Sequence, residues 1–262
     1  MHKDDMDEDL KEDLNEEEMF ELIEEERRKA TMEQKQSEEE KRPFPKWIIL
    51  LIAFAMFFSV IRAIPQTFSV PAIDFLITSA QLYADEEVRE YKESVVVVEA
   101  GESKGTGFSY SSDGKILTNH HVIEDEKRIS VSFEEQGLYS ATVVEEYEDI
   151  DLAVLEVNGE NLPHLPLAKQ VDISEEPSIT FIGNPLRFIR IANEGKVTGE
   201  KKLNDWEKQV MVLDAPVYRG NSGSPVIDNE GEVIGVVFAT LQTEEGTVGL
   251  AVPINYFHEA NK

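Results

Sequence analysis

Tyr218-Arg219-Gly220-Asn221-Ser222-Gly223-Ser224-Pro225 is the stretch from which the rest of the chain can be read. A serine hydroxyl is a weak nucleophile until a neighbouring base takes its proton. Acyl transfer also needs backbone N–H groups aimed at the oxygen that becomes negative. A Gly-x-Ser-Gly turn can supply both. Gly220 tolerates backbone conformations closed to other residues, so its N–H and that of Ser222 can converge beside the Ser222 hydroxyl. By itself the octapeptide also suits a glycine-rich hairpin turn. A base elsewhere in the chain decides between the two.

Five histidines are present: His2, His120, His121, His164 and His258. His2 belongs to an acidic tail, His164 sits between Pro163 and Leu165, and His258 lies near the C-terminus. His120 and His121 close the run from Gly105 to Val122, which reads as a hairpin leading to a strand end. Adjacent side chains diverge, so only one imidazole can face the serine, and the pair cannot share a metal. A base needs a carboxylate to fix its tautomer. Asp151 opens the apolar run Asp-Leu-Ala-Val-Leu-Glu-Val, which would hold a carboxylate rigidly at a strand start; Asp149 and Glu148 compete with it.

Outward from these residues, short β-rich runs recur at Val95–Val98, Lys115–Leu117, Ile129–Phe133, Ala141–Val144, Leu152–Val157, Ser178–Ile182, Gln209–Leu213, Val226–Ile227, Val233–Phe238 and Thr247–Val252. Turn signals such as Ser112-Asp113-Gly114 and Asn158-Gly159 separate them. That spacing predicts an all-β sandwich or barrel. The chain has no cysteine, which excludes disulfides and thiolate metal sites. It has no His-x-x-x-His cluster and no phosphate loop, so no metal and no cofactor is expected. The net charge of −28 repels phosphates and argues against nucleic acid as a partner.

The N-terminal third reads differently. Residues 1–46 are rich in Glu, Asp, Lys and Arg, too polar to bury a core, and are expected to be disordered or loosely helical. The apolar run Trp47–Ile61 follows. With Trp47 and Arg62 at its ends, residues 47–64 are expected to form a transmembrane helix in the lipid bilayer. Lys41, Arg42 and Lys46 precede it, so the N-terminus is expected in the cytoplasm and the remainder outside, a single-pass protein of the cell membrane. Residues 65–92 read as a linker.

Thr118-Asn119-His120-His121-Val122 resembles the Thr-Asn-x-His-Val motif of HtrA/Deg serine proteases. Asp151–Val157 resembles their Asp-Leu-Ala-Val-Leu-x-Val segment, and Gly220–Pro225 their Gly-Asn-Ser-Gly-Gly-Pro motif. Gly105–Phe108, Ile182–Pro185 and Leu250–Asn255 match further segments in the same order. The resemblance implies two antiparallel six-stranded β-barrels of the chymotrypsin/trypsin-like kind, barrel one over about 93–168 and barrel two over about 175–258, in a protease domain of residues 93–262. It implies His121 as base, Asp151 as its orienting acid, Ser222 as nucleophile, and the N–H groups of Gly220 and Ser222 as oxyanion hole. In this class the residue six before the serine floors the pocket for the side chain preceding the scissile bond. Here that residue is Pro216, beside Val217, with Phe238, Ala239 and Thr240 opposite. No carboxylate stands there to pair Lys or Arg, so a small or medium apolar side chain is expected.

Two departures stand out. Ser224 replaces the family's second glycine, and the PDZ domain common in the family is expected to be absent, because the sequence stops at Lys262. The expected activity is that of a membrane-anchored serine endopeptidase acting on proteins or peptides outside the cytoplasm. A homo-oligomer is compatible with the resemblance. The rival reading is a catalytically silent binding or sensor protein on the same fold.

Overall fold

The computed structural model describes residues 16–40, 45–67 and 77–262, apart from 172, 174–175, 186–187, 205 and 245. Parts of the expected acidic segment (1–15 and 41–44) and of the expected linker (68–76) lie outside the described residues. The chain divides into two units, Met1–Thr67 and Phe68–Lys262.

The first unit holds two helices, Glu16–Glu40 and Lys46–Thr67. Among the described residues no helix is long and apolar enough to cross a membrane, so the transmembrane helix expected over 47–64 is not supported. The apolar stretch whose side chains are described, Trp47–Phe57, is shorter than the ~20 apolar residues a span needs. The described part of the helix is nevertheless apolar and open, with Ile49, Leu50, Leu51, Ile52, Phe54, Met56 and Phe57 all exposed.

In the second unit a helical stretch at 77–82 and the helix Glu86–Ser94 lead into the sheets. Asp85 caps the latter by accepting from Glu87 N–H at 2.9 Å, satisfying a donor that the helix start would otherwise leave free. Val88 is buried, and Leu82 and Tyr91 pack against the main apolar cluster.

Two closed antiparallel barrels of six strands follow, as the resemblance implied. Barrel one contains β1 (Val95–Ala100), β2 (Ser103–Ser109), β3 (Lys115–Thr118), β4 (Ile129–Ser132), β5 (Leu138–Tyr147) and β6 (Leu152–Val157), closed in the order β1-β2-β3-β6-β5-β4. Barrel two contains β7 (Ser178–Gly183), β8 (Ile191–Lys202), β9 (Gln209–Asp214), β10 (Pro225–Ile227), β11 (Val233–Thr243) and β12 (Gly246–Pro253), closed in the order β10-β11-β12-β9-β8-β7. Barrel one is filled by Val96, Val98, Ile116, Val131 and Leu155, all fully buried. A second cluster joins barrel-one residues (Val95, Phe108, Leu117, Leu152) to barrel-two residues (Phe181, Met211, Leu213, Val236). That shared cluster makes the seam between the barrels a piece of continuous core.

The helix Ile254–Ala260 closes the chain, with Phe257 buried edge-on against Tyr110 and Tyr147 of barrel one. Burial pushes the Tyr110 phenol up to about 12, with Glu145 and Asp113 adding to the effect. Tyr110 therefore stays neutral there, as its apolar neighbours require.

Candidate active site

β3 runs into Asn119 and then a single helical turn, His120–Ile123. Val122 and Ile123 are buried in barrel one, which fixes the turn and leaves the two imidazoles on its outer side. Opposite, β5 ends in a short 3₁₀ turn, Glu148–Ile150. Asp151 follows in the left-handed region at φ 49°, a conformation unusual for a side chain with a Cβ. It is held there from several directions. Its carbonyl accepts from Asn119 Nδ2 at 2.8 Å and from His120 N–H at 3.2 Å. One carboxylate oxygen accepts from His121 N–H at 2.9 Å, and the other lies 2.6 Å from His121 Nδ1.

His121 and Asp151 are thus brought together, and both carboxylate oxygens are used on the same residue. Glu148 and Asp149, the competing acids, make no such contact. His120 diverges: its Nε2 lies 3.3 Å from Glu146 Oε2. His120, Glu146 and Glu148 could bring their ligand atoms within 4.8 Å of one another, but two exposed glutamates beside a histidine are an ordinary surface arrangement.

Ser222 comes from barrel two. Tyr218–Asn221 is a β-turn closed by Asn221 N–H on Tyr218 O at 3.0 Å, with Gly220 at φ 98°. Those values define a type II turn, whose third position demands glycine. Among the described residues neither the Gly220 nor the Ser222 N–H has an acceptor. His121, Ser222, Gly220, Arg219, Val122 and Asn184 line one cleft of about 540 Å³. Within it the Ser222 hydroxyl donates to Phe238 O at 3.4 Å rather than to His121. Such long or misaligned contacts are common before substrate is bound.

The residues expected to form the specificity pocket occupy neighbouring places. Val217 is buried with its side chain over Gly249, where an added Cβ would lie 2.6 Å from it. Phe238, Ala239 and Thr240 continue β11 beyond Val237. The Trp206 ring lies 4.6 Å from that of Phe238, a contact no motif announced. Pro216 is half-buried between Ala215 and Val217, and the nearby Asp214 is exposed.

Residues that no motif reading assigned a role also reach this site. Gly223, at φ 88°, packs so tightly that a Cβ would lie 1.8 Å from Thr106 O. Ser224, the family departure, is fully buried, and its hydroxyl has no partner among the described residues. The departure is accommodated because Gly183 lies opposite, where a Cβ would stand 2.2 Å from that hydroxyl.

Residues 105–236 match the family described as "Trypsin-like peptidase domain". A Chlamydia pneumoniae protein named "Probable periplasmic serine endoprotease DegP-like" is 34% identical over 155 residues, 58% of this chain and 32% of its own length. A Pseudomonas fluorescens protein of the same name is 33% identical over 158 residues, 59% of this chain and 33% of its own. The chain therefore spans about a third of the length of the curated relatives it matches. Among solved structures, the serine endoprotease from Yersinia pestis superposes with a TM-score of 0.56 at 30% identity, covering 66% of this chain and 63% of that one. The Rv3671c protease in its inactive form, a protein of M. tuberculosis H37Rv, gives 0.60 at 26%, covering 68% and 92%. Fold, cleft and sequence agree: this chain belongs to the family of trypsin-like peptidase domains.

Proposed function

We propose that the chain is a serine endopeptidase of the HtrA/Deg type, with Ser222, His121 and Asp151 as its catalytic triad. The observation that carries this reading is the double grip of the Asp151 carboxylate on His121, in a cleft shared with Ser222. Asp151 holds the proton on Nδ1 and leaves the Nε2 lone pair free to act as base. To react, the Ser222 hydroxyl must leave Phe238 O for that nitrogen.

Ser222 Oγ then attacks the scissile carbonyl carbon as its proton passes to Nε2. The carbonyl oxygen becomes negative and is met by the N–H groups of Gly220 and Ser222, which are free to receive it. Collapse breaks the C–N bond, and the imidazolium gives its proton to the leaving amine. Water, deprotonated by His121, then hydrolyses the acyl-enzyme on Ser222 Oγ. Substrates are proteins or peptides with a small or medium apolar side chain before the scissile bond, received by Pro216, Val217, Phe238, Ala239 and Thr240.

A fluorophosphonate probe tests this reading directly. The full chain should label, and Ser222→Ala should not. The rival, a silent binding protein on the same fold, draws support from the Ser222 hydroxyl resting on Phe238 O; absence of labelling in folded protein would favour it. His120→Ala is expected to keep most activity, within about threefold in kcat/KM, because His120 faces Glu146 and not the cleft. A large loss there, with His121→Ala active, would reverse the assignment.

We also propose that the chain works outside the cytoplasm, with residues 47–64 seated on a membrane surface. The support is the exposed apolar surface from Ile49 to Phe57, which water does not tolerate at that extent, together with relatives named as periplasmic. Protease added to intact cells should then digest the catalytic unit, and deleting residues 47–64 should release the chain from sedimented membranes. Protection of the catalytic unit would sink the proposal.

A further inference from the structure

The two residues whose N–H groups meet the oxyanion in the proposed mechanism, Gly220 and Ser222, are both gripped by one residue of the other barrel. Thr106, on β2, donates its hydroxyl to Gly220 O at 2.7 Å and its backbone N–H to Ser222 O at 2.8 Å. The first of these bonds depends on a side chain, and that side chain has no freedom. Its oxygen accepts from Asn184 N–H at 2.9 Å and from Asn184 Nδ2 at 3.1 Å. A hydroxyl has two acceptor sites and one proton. With both acceptor sites taken by Asn184, the proton must point at Gly220 O.

Asn184 is determined in turn. Its Nδ2 also donates to Val96 O at 2.9 Å, and its Oδ1 accepts from Arg190 N–H at 3.0 Å. These partners fix which end of the amide is nitrogen. Arg190 anchors the far end in barrel one, donating Nε to Val95 O at 2.9 Å and Nη2 to Ser132 O at 2.8 Å. Thr106 and Asn184 are fully buried, so water cannot substitute for a missing bond.

We infer that Thr106 is a positioning residue for the oxyanion hole, with Asn184 as the group that orients its proton. The Gly220–Asn221 peptide is clamped at both ends, its N–H on Tyr218 O and its carbonyl on Thr106 Oγ1. The clamp fixes where the neighbouring Gly220 N–H stands. Without the hydroxyl the turn keeps its glycine but loses the bond that sets its place against barrel one. The expected loss falls on the transition state, in which the oxyanion is charged, and spares ground-state binding.

The inference rests on the triad reading, and the test separates the two. Steady-state kinetics would be run on full-chain wild type, Thr106→Val and Thr106→Ser, normalised to fluorophosphonate-titrated sites. Affinity for a peptide boronate, whose adduct on Ser222 is tetrahedral, would be measured beside that for a product peptide. Thr106→Val should lose about tenfold to a hundredfold in kcat, with KM and product affinity near wild type and boronate affinity falling in parallel with kcat. Thr106→Ser, which restores the O–H, should recover most of both. Should Thr106→Val fail to fold, Thr106→Ser and Thr106→Ala supply the same comparison with and without the hydroxyl. Unchanged kcat and boronate affinity in a folded variant lacking the hydroxyl would overturn the inference and leave the triad standing. A wild type that neither labels nor turns over peptide would overturn the triad reading, and the inference with it.

Discussion

Ser222→Ala is expected to lower kcat by about six orders of magnitude, and adding His121→Ala should cost little more, because the members of the proposed triad act as one unit. Asp151→Asn is the more informative variant. The wild-type carboxylate offers one oxygen to His121 N–H and the other to Nδ1. An amide has one oxygen and one NH₂. If the oxygen stays on the backbone N–H, the NH₂ faces Nδ1 and forces the proton onto Nε2, the nitrogen that must accept from Ser222. A loss of about 10⁴ in kcat follows from the wrong tautomer. The bonds from Asn119 Nδ2 and His120 N–H to the Asp151 carbonyl do not involve the Asp151 side chain, so the fold should survive. Single-turnover hydrolysis of a peptide, with circular dichroism as the control for folding, measures it. An Asp151→Asn enzyme within tenfold of wild type would remove Asp151 from the mechanism.

The second large effect is on stability. Gly223→Ala places a Cβ 1.8 Å from Thr106 O and 2.8 Å from Thr118 Oγ1, on a residue at φ 88°. Neither neighbour can retreat easily, since Thr118 Oγ1 donates to that same Thr106 carbonyl at 2.7 Å. Backbone strain and overpacking together should cost about 3–5 kcal/mol. Gly137→Ala separates the two contributions, because Gly137 has a similar φ of 87° with nothing within 4 Å of the added Cβ. It should lose only about 1 kcal/mol. Urea unfolding of both variants decides the matter, and equal losses would show that crowding at Gly223 is relieved. The folded fraction of Gly223→Ala should also label poorly, because the neighbouring Ser222 must move.

Most strands were legible because their residues are β-branched and bounded by turn residues, as in Val95–Val98 and Leu152–Val157. β8 was not, and β2 was read only within the hairpin from Gly105 to Val122. β2 carries Gly105 and Gly107, residues that weaken a strand signal, yet a Cβ there would lie 2.8 Å from Val122 and 2.9 Å from Val98. Its glycines are demanded by close packing, which local sequence does not display. β8 contains Glu194-Gly195-Lys196 and Glu200-Lys201-Lys202, polar because much of its length is open to solvent, whereas Asn193 is buried. At the candidate site, residue types alone left His120 beside His121, and Glu148 and Asp149 beside Asp151. What separates them is three-dimensional: the left-handed turn at Asp151 and the divergence of adjacent side chains on a helical turn. Thr106, Asn184 and Arg190 lie in or beside segments that resembled the family, but their roles depend on bonds spanning 78 to 114 residues in sequence, beyond the reach of any local pattern.

The seam between the barrels has a consequence for how the protein fails. Ser222 and His121, the proposed nucleophile and base, stand on opposite sides of it, so a small slip of one barrel against the other would disarm the cleft while both sheets remain closed. Heat or denaturant should therefore silence the enzyme before it melts. For the proposed endopeptidase this order is protective. An unfolded copy is a substrate for its neighbours, and a population that loses its cutting edge first cannot consume itself as it unfolds.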